Sequence, residues 1–325
     1  MYRGHTQGLM GSVSVIIPTL NAAGLIRPLV EKLRAQKADV LEIIVIDSSS
    51  KDSTVATANS LGCEVIVIPA EEFNHGLTRN LAAGVARGEV LVFMTQDAVP
   101  SDDMLITNLL TPLEDAAVAA SYARQVCGEG ANPLERFCRQ FNYPPTEGGR
   151  VQLKDYGALA HMGIKTFFFS NVCSAIKRDV FLEMGGFVET LMNEDMVFAA
   201  ALIRSGYKVA YQPQAVVIHC HNYSVIEQLR RHFDIGVSLR DNALLEYARP
   251  HGEGKRFVKA GARHLFKEEG LYYLGYFFLD TLFRYAGYSL GTRHMLLPGR
   301  LKRWLTVKKE VKKEPPARGP VPLTP

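Results

Sequence analysis

Apolar positions in the first part of the chain come in short β-branched runs separated by stretches with helical spacing. Val13–Ile17, Ile43–Ile46, Glu64–Ile68 and Val90–Met94 have strand length. Between them, Leu25–Gln36, Ser53–Leu61 and Leu77–Arg87 have helix-like composition and spacing. This alternation predicts crossover units and an α/β fold, a mostly parallel, twisted sheet flanked by helices. Helices on both faces also account for strands that are continuously apolar instead of alternating.

Beyond residue 100 the pattern is less regular. Glu129–Lys165, rich in Gly, Pro and polar residues, predicts loops and short helices over the sheet. Asn171–Ile176 and Lys208–Ile218 read as further strands, with a helix over Asn193–Ser205 ended by Gly206. From Ser224 to Leu305 the chain reads as helical, and the Pro-rich end, Pro315–Pro325, reads as disordered. No internal repeat is visible. The expected division is a nucleotide-sugar-binding catalytic domain over residues 1–225, a helical extension over 226–305 and a basic tail over 306–325.

Composition changes this picture only at the margins. The 325 residues are 47% hydrophobic and 22% charged, an ordinary globular balance. The net charge of +4 is unevenly placed. Arg293, Arg300, Lys302, Arg303, Lys308, Lys309, Lys312, Lys313 and Arg318, against Glu310 and Glu314, give the end of the chain +7 and leave the body at −3. A mildly acidic body argues against a nucleic-acid-binding core, and a basic tail suits a local surface anchor. The five cysteines are widely spaced with no C-x-x-C pair, so buried free thiols in a reducing cytoplasm are expected. The first apolar run is broken by Pro18 and Asn21, too early for a signal peptide.

Ligands of an open parallel sheet sit beyond the carboxyl ends of its strands. Those ends carry Pro18-Thr19-Leu20-Asn21, Asp47-Ser48-Ser49-Ser50 and Thr95-Gln96-Asp97-Ala98, which places Asp47 and Asp97 on one rim. An aspartate after a strand also serves as a helix cap, and Asp52 or Ser53 is placed to cap the next helix.

The segments Val13–Asn21 and Ile44–Thr54 together resemble the start of a family 2 glycosyltransferase, and the likeness extends over residues 12–225. It implies a GT-A fold in which Pro18, Thr19 and Asn21 lie near a uridine or thymidine. Asp47 would accept from the base or ribose, and Ser49, Gln96 and Asp97 would belong to the same nucleotide site. A narrower likeness, to the rhamnosyltransferase branch, lies in Glu72-Phe73-Asn74-His75-Gly76-Leu77-Thr78-Arg79-Asn80. Here Gly76 permits a tight backbone turn, and Arg79 offers a cationic fork suited to a diphosphate or a metal carboxylate. The plainer alternative for Arg79 is a structural pair with a neighbouring acid. His75 is assigned to the acceptor or to support. Where most of the family has two carboxylates in D-x-D, this chain has Gln96-Asp97-Ala98, a form also similar to the rhamnosyltransferase branch. One carboxylate suffices for Mg²⁺ or Mn²⁺ when phosphates supply other oxygens.

Met192-Asn193-Glu194-Asp195 follows Gly185-Gly186-Phe187, where the family carries an acidic pair. The resemblance makes Asp195 the catalytic base and Glu194 its support or an acceptor-orienting group. Favourable interaction with the helix dipole is the plainer reading of both acids. In His219-Cys220-His221 the two imidazoles are expected to face opposite ways. His219 is therefore taken as the metal ligand, and His221 for the acceptor or support.

Gln228-Leu229-Arg230-Arg231-His232 lacks the tryptophan of the Q-x-x-R-W motif of processive synthases, and no Gly-rich phosphate loop follows a strand. Leu271–Leu290 is rich in aromatics but interrupted by Asp280 and Arg284. That argues against a spanning helix and leaves open an interfacial one beside the basic tail. The resulting expectation is an inverting transfer, of rhamnose from dTDP-rhamnose or of a sugar from another dTDP- or UDP-sugar. The acceptor would be a glycan or lipid-linked and the setting bacterial surface polysaccharide synthesis. The enzyme would be cytoplasmic or peripheral at the inner face of the plasma membrane. A nucleotidyltransferase and an inactive nucleotide-binding module are the rivals.

Overall fold

The structure is a computed structural model and describes residues 11–247 and 252–307. The strands are β1 Val13–Thr19, β2 Val40–Asp47, β3 Glu64–Val67, β4 Val90–Met94, β5 Val99–Pro100, β6 Val118–Val126, β7 Gln152–Lys154, β8 Cys173–Lys177 and β9 Lys208–Ile218. The helices of the first half are α1 Ala23–Arg34, α2 Thr54–Ser60, α3 His75–Val85, α4 Leu105–Leu110 and α5 Pro133–Asn142. Those following are α6 Leu159–Met162, α7 Arg178–Glu183, α8 Glu194–Arg204, α9 Val225–Asp241, α10 Leu244–Tyr247, α11 Glu253–Glu268, α12 Gly270–Gly291 and α13 Gly299–Leu305.

All nine strands join one sheet in the order β3-β2-β1-β4-β8-β6-β9-β5, with β7 against β9. The β3-β2-β1-β4 half is parallel, as the alternating pattern predicts. The β8 strand then enters antiparallel to both β4 and β6. The long pair β6 and β9 is parallel again. Every side chain of β4 is buried, and helices cover both faces of the sheet, which divides the interior into two apolar clusters.

The sequence pattern did not reveal β6. Its run Val118-Ala-Ala-Ser-Tyr-Ala-Arg-Gln-Val126 mixes small and polar residues, yet seven of the nine are buried because β8 and β9 flank it. Glu129–Lys165, expected as loops and short helices, holds the helix α5, the one-turn α6 and the short strand β7. Asn132 caps α5, accepting from the Glu135 amide at 2.8 Å.

The C-terminal helices pack on the sheet domain through α5 and the loop before α8. Phe137 and Cys138 of α5 meet Leu265 and Phe277, while Leu191 meets the cluster of Leu229, Phe233, Val237 and Leu305. Helices α9 and α12 approach closely at Gly287 and Gly291, where an added Cβ would lie 2.1 Å from the carbonyls of Leu229 and Phe233. Among the described residues, no helix is long and apolar enough to cross a membrane. The interrupting charges of α12 turn inward: Arg284 Nε donates to Asp280 at 2.5 Å, and its guanidinium lies 3.6 Å from Glu135 of α5. Lys308, Lys309, Lys312, Lys313, Arg318 and the Pro-rich end lie outside the described residues.

The expectation of five free thiols is corrected by a disulfide between Cys127 and Cys220, whose Cα atoms are 5.0 Å apart. Parallel pairing of Val126 with Ile218 brings the ends of β6 and β9 together, and this cross-strand neighbourhood leaves no trace in sequence spacing. Cys63, Cys138 and Cys173 are free and buried.

Candidate active site

The strand ends of the β2-β1-β4 ridge are tied to one another before any ligand is considered. Asp47, fully enclosed, accepts from Thr19 Oγ1 at 2.8 Å, Ser50 Oγ at 2.5 Å and the Ser50 amide at 2.7 Å. Gln96 holds the Leu20 backbone from both sides, accepting from its amide at 2.8 Å and donating to its carbonyl at 3.3 Å. Asn21 and Ser49 both adopt left-handed backbone conformations, with φ of 50° and 60°. The Asn21 carboxamide oxygen accepts from the Lys51 amide, and the Ser49 hydroxyl donates to the Ile68 carbonyl.

A cleft of about 260 Å³ opens beside this ridge, lined by Pro18, Thr19, Ser48, His75, Arg79 and Gln96 among others. Of the residues expected to hold the nucleotide, Pro18, Thr19, Arg79 and Gln96 line it. Asp47, Asn21 and Ser49 instead brace the loops that form its wall. Ser48, which the sequence reading passed over, does line the cleft.

The Asn74–Asn80 motif has a coherent local explanation. Asn74 caps α3, accepting from the amides of Gly76 and Leu77. A tight turn is not what Gly76 provides: its φ is not in the left-handed region, and what it supplies is room. A Cβ there would stand 2.6 Å from the Val188 carbonyl oxygen. Asn80 clamps the Phe187 backbone, accepting from its amide at 2.9 Å and donating to its carbonyl at 2.8 Å. Gly186, with φ of 73°, passes directly under Asn80. Arg79, almost completely buried, donates to the His75 carbonyl at 2.7 Å and lies 3.5 Å from Glu194. The structural ion pair therefore holds for Arg79 even as the residue borders the cleft. His75 begins α3 and sets its ring edge-on to Phe73. The whole motif docks α3 onto the loop that presents Glu194 and Asp195.

That acidic pair opens α8, entered through Asn193 in a left-handed conformation. Asp195 accepts from the amides of Asn171 at 3.0 Å and Met196 at 2.7 Å, and Glu194 is reached by Asn171 Nδ2 at 3.3 Å. Burial, reinforced by the neighbouring Glu194 charge, raises the Asp195 carboxyl to about 7, with the two amides opposing. A carboxylate poised near neutrality suits general-base work.

At the other end, Asp97, His219 and His221 converge, with one ligand-type atom from each within 4.8 Å of the others. His219 Nε2 lies 3.4 Å and His221 Nε2 3.0 Å from Asp97, and the two imidazole nitrogens are 3.1 Å apart. Burial opposes ionisation of Asp97, but its contacts with His219 and His221 outweigh it and hold the carboxyl below its usual range. This corrects the expectation of opposed imidazoles. Residues two apart on an extended chain share a face, and it is Cys220 between them that points away, into the disulfide. Pairing of β5 with β9, Val99 against Ile218, brings the chain after Asp97 alongside the histidines.

The donor set fits a divalent ion. One carboxylate and two imidazoles within this spacing match manganese, iron or zinc better than magnesium, which favours oxygen ligands alone.

Between the two ends runs a polar network that the sequence did not disclose. Buried Gln125 lies 3.2 Å from His219 Nδ1, accepts from Arg139 at 2.7 Å, and donates to Tyr143 Oη at 2.6 Å and Ser170 Oγ at 2.9 Å. Ser170 adjoins Asn171, whose amide holds Asp195. The only trace of this in sequence is two long polar side chains, Arg124 and Gln125, near the end of an otherwise small and apolar run.

Comparison with known proteins agrees with this geometry. Residues 14–185 match the model of glycosyl transferase family 2. The O-antigen chain rhamnosyltransferase RfbN of Salmonella typhimurium is 38% identical over 302 residues, covering 91% of this chain and 95% of its own. The O-antigen chain rhamnosyltransferase WbaN of Salmonella anatum is 37% identical, covering 92% and 95%. Among solved structures, the mannosyltransferase PcManGT of Pyrobaculum calidifontis, in complex with GDP-Man and Mn²⁺, superposes with a TM-score of 0.55 at 18% identity. That match covers 91% of this chain and 85% of the other. S. aureus TarS superposes with a TM-score of 0.51 at 14% identity, covering 87% and 92%. These two likenesses speak to the GT-A fold.

Proposed function

This chain belongs to glycosyltransferase family 2, and we propose that it transfers rhamnose from dTDP-rhamnose, with inversion, onto a glycan or lipid-linked acceptor of a bacterial surface polysaccharide. The observation that carries the reading is the convergence of Asp97, His219 and His221, joined through Gln125 and Ser170 to the segment that holds Asp195. The rhamnosyl donor is supported by the two full-length relatives.

In this reading the nucleotide lies against Pro18, Thr19, Ser48 and Gln96, with Asp47, Asn21 and Ser49 keeping that wall in shape. Asp97, His219 and His221 would hold the divalent ion, most suitably Mn²⁺. Such an ion stabilises charge on a departing diphosphate as a Lewis acid. Arg79 pairs with Glu194 and holds it in place. Glu194, as a neighbouring negative charge, keeps Asp195 basic enough to accept the acceptor's hydroxyl proton as the oxygen attacks the anomeric carbon. His75 borders the same cleft and serves acceptor orientation.

The division that goes with this reading is a catalytic unit over residues 1–225, described from residue 11, and a helical extension over 226–305, described apart from 248–251. The outer face of α12 carries exposed Leu271, Tyr272, Phe278, Leu279, Leu282 and Tyr285 at helical spacing, while Phe277, Asp280, Gly287 and Gly291 face inward. With Arg300, Lys302 and Arg303 following closely, this face suits peripheral contact with an anionic inner leaflet, where a lipid-linked acceptor resides.

The test is thermal stabilisation by dTDP-rhamnose, dTDP, UDP-glucose and GDP-mannose, each with and without Mn²⁺ or Mg²⁺, followed by transfer of labelled rhamnose to lipid-extractable acceptor. Stabilisation by dTDP-rhamnose with Mn²⁺, and label in the lipid fraction, is expected. Preference for a UDP- or GDP-sugar would overturn the donor. Donor binding without turnover would favour an inactive binding module.

A further inference from the structure

Gln125 makes four polar contacts while almost wholly buried, and together they fix which way its amide points. The Arg139 guanidinium can only donate, so the amide atom it approaches at 2.7 Å must be the oxygen. The amide nitrogen then faces Tyr143 Oη and Ser170 Oγ, both able to accept. Turning the amide over would set N–H against N–H at Arg139. An oxygen so fixed offers His219 Nδ1 only an acceptor, which requires the proton on Nδ1 and a lone pair on Nε2.

We propose that Gln125 is a positioning residue for the metal centre, holding His219 in the tautomer and ring orientation that present its Nε2 lone pair beside Asp97 and His221. The inference rests on reading those three residues as the metal site. In most such sites the second nitrogen of a ligating histidine donates to a carboxylate, carbonyl or water. Here the acceptor is a neutral amide oxygen, itself held by Arg139 and tied through Ser170 to the segment whose Asn171 amide holds Asp195. His221 completes the arrangement consistently. With the His219 Nε2 unprotonated, His221 Nε2 can donate to it at 3.1 Å or to Asp97 at 3.0 Å, and to ligate a metal ion through Nε2 His221 would carry its proton on Nδ1 instead.

The experiment measures binding of Mn²⁺ alone to the full chain, by the loss of the free-ion electron paramagnetic resonance signal, for wild type, His219→Ala, Gln125→Met and Gln125→Glu. Gln125→Met keeps the volume and removes the acceptor. It should weaken Mn²⁺ binding by about 10–100-fold. Gln125→Glu keeps an acceptor for both His219 and Arg139 and should restore most of the affinity, which a merely space-filling role would not predict. Long-range ¹H–¹⁵N correlation of the wild-type protein loaded with Zn²⁺ reads the tautomer without any substitution and should show the His219 proton on Nδ1. Wild-type affinity in Gln125→Met, equal losses in Met and Glu, or a proton on Nε2 would each overturn the role of Gln125. Mn²⁺ binding that is absent in wild type, or indifferent to His219→Ala, would overturn the metal site itself, so the two failures are distinguishable.

Discussion

Replacing Asp195 with asparagine tests the base assignment through two independent readouts. The carboxyl is raised from 3.8 to about 7 by burial and by Glu194. The folded state thus holds this proton more tightly than the unfolded chain does. Wild-type stability from this group is therefore greatest at acid pH and is lost as pH rises from about 4 through about 7. Three pH units at about 1.4 kcal/mol each set a ceiling of about 4 kcal/mol. An asparagine cannot ionise and escapes that loss, although its amide N–H₂ would face the Asn171 or Met196 amide and forfeit about 1 kcal/mol at every pH. The melting temperature of Asp195→Asn relative to wild type should thus climb between pH 4 and pH 8. Even about 1 kcal/mol of the ceiling corresponds to a relative shift of about 2 °C in a protein of this size. In the transfer assay kcat should fall by about 10²–10⁴-fold with the Kd for donor unchanged. Wild-type kcat/KM should rise with pH through about 7 as the base ionises. Near wild-type turnover in Asp195→Asn refutes the base assignment. Melting curves that run parallel across the pH range refute the raised carboxyl.

Further predictions address the parts that hold the site together. Gly76→Ala places a methyl 2.6 Å from the Val188 carbonyl and should cost about 1–3 kcal/mol of stability, measured by chemical denaturation, while lowering kcat by displacing the Glu194 loop. His221→Ala should weaken Mn²⁺ binding by about tenfold or more, as His219→Ala does. Unchanged Mn²⁺ affinity with a raised KM for acceptor would return His221 to an acceptor role. Protein denatured without reductant should titrate three thiols, because Cys127 and Cys220 are bonded, and five would rule the bond out.

Much of the catalytic architecture was legible along the chain because it depends on local order. The β-branched runs specified β1 to β4, and the polar residues that end them mark the rim beside which the cleft opens, since strand ends converge in any parallel sheet. The acidic pair likewise opens a helix whose start the pattern located within a residue.

Other features were settled only in three dimensions. Asp47 looked like a ligand-facing carboxylate, but the register of β1 on β2 sets Thr19 directly opposite and encloses it. Gly76 looked like a turn glycine, and the Val188 carbonyl, distant in sequence, is what requires it. The two histidines share a face because of strand geometry, but their approach to Asp97 depends on a two-residue strand no periodicity could reveal. Gln125 had no visible role until β6 was placed beside β9 and α5 closed over it. Sequence by itself determined the strands, the rim and the candidate acids, because each is a property of neighbouring residues. Tertiary structure decided which side chains face the cleft and which brace it, because burial and hydrogen-bond partners are fixed by contacts between segments many residues apart.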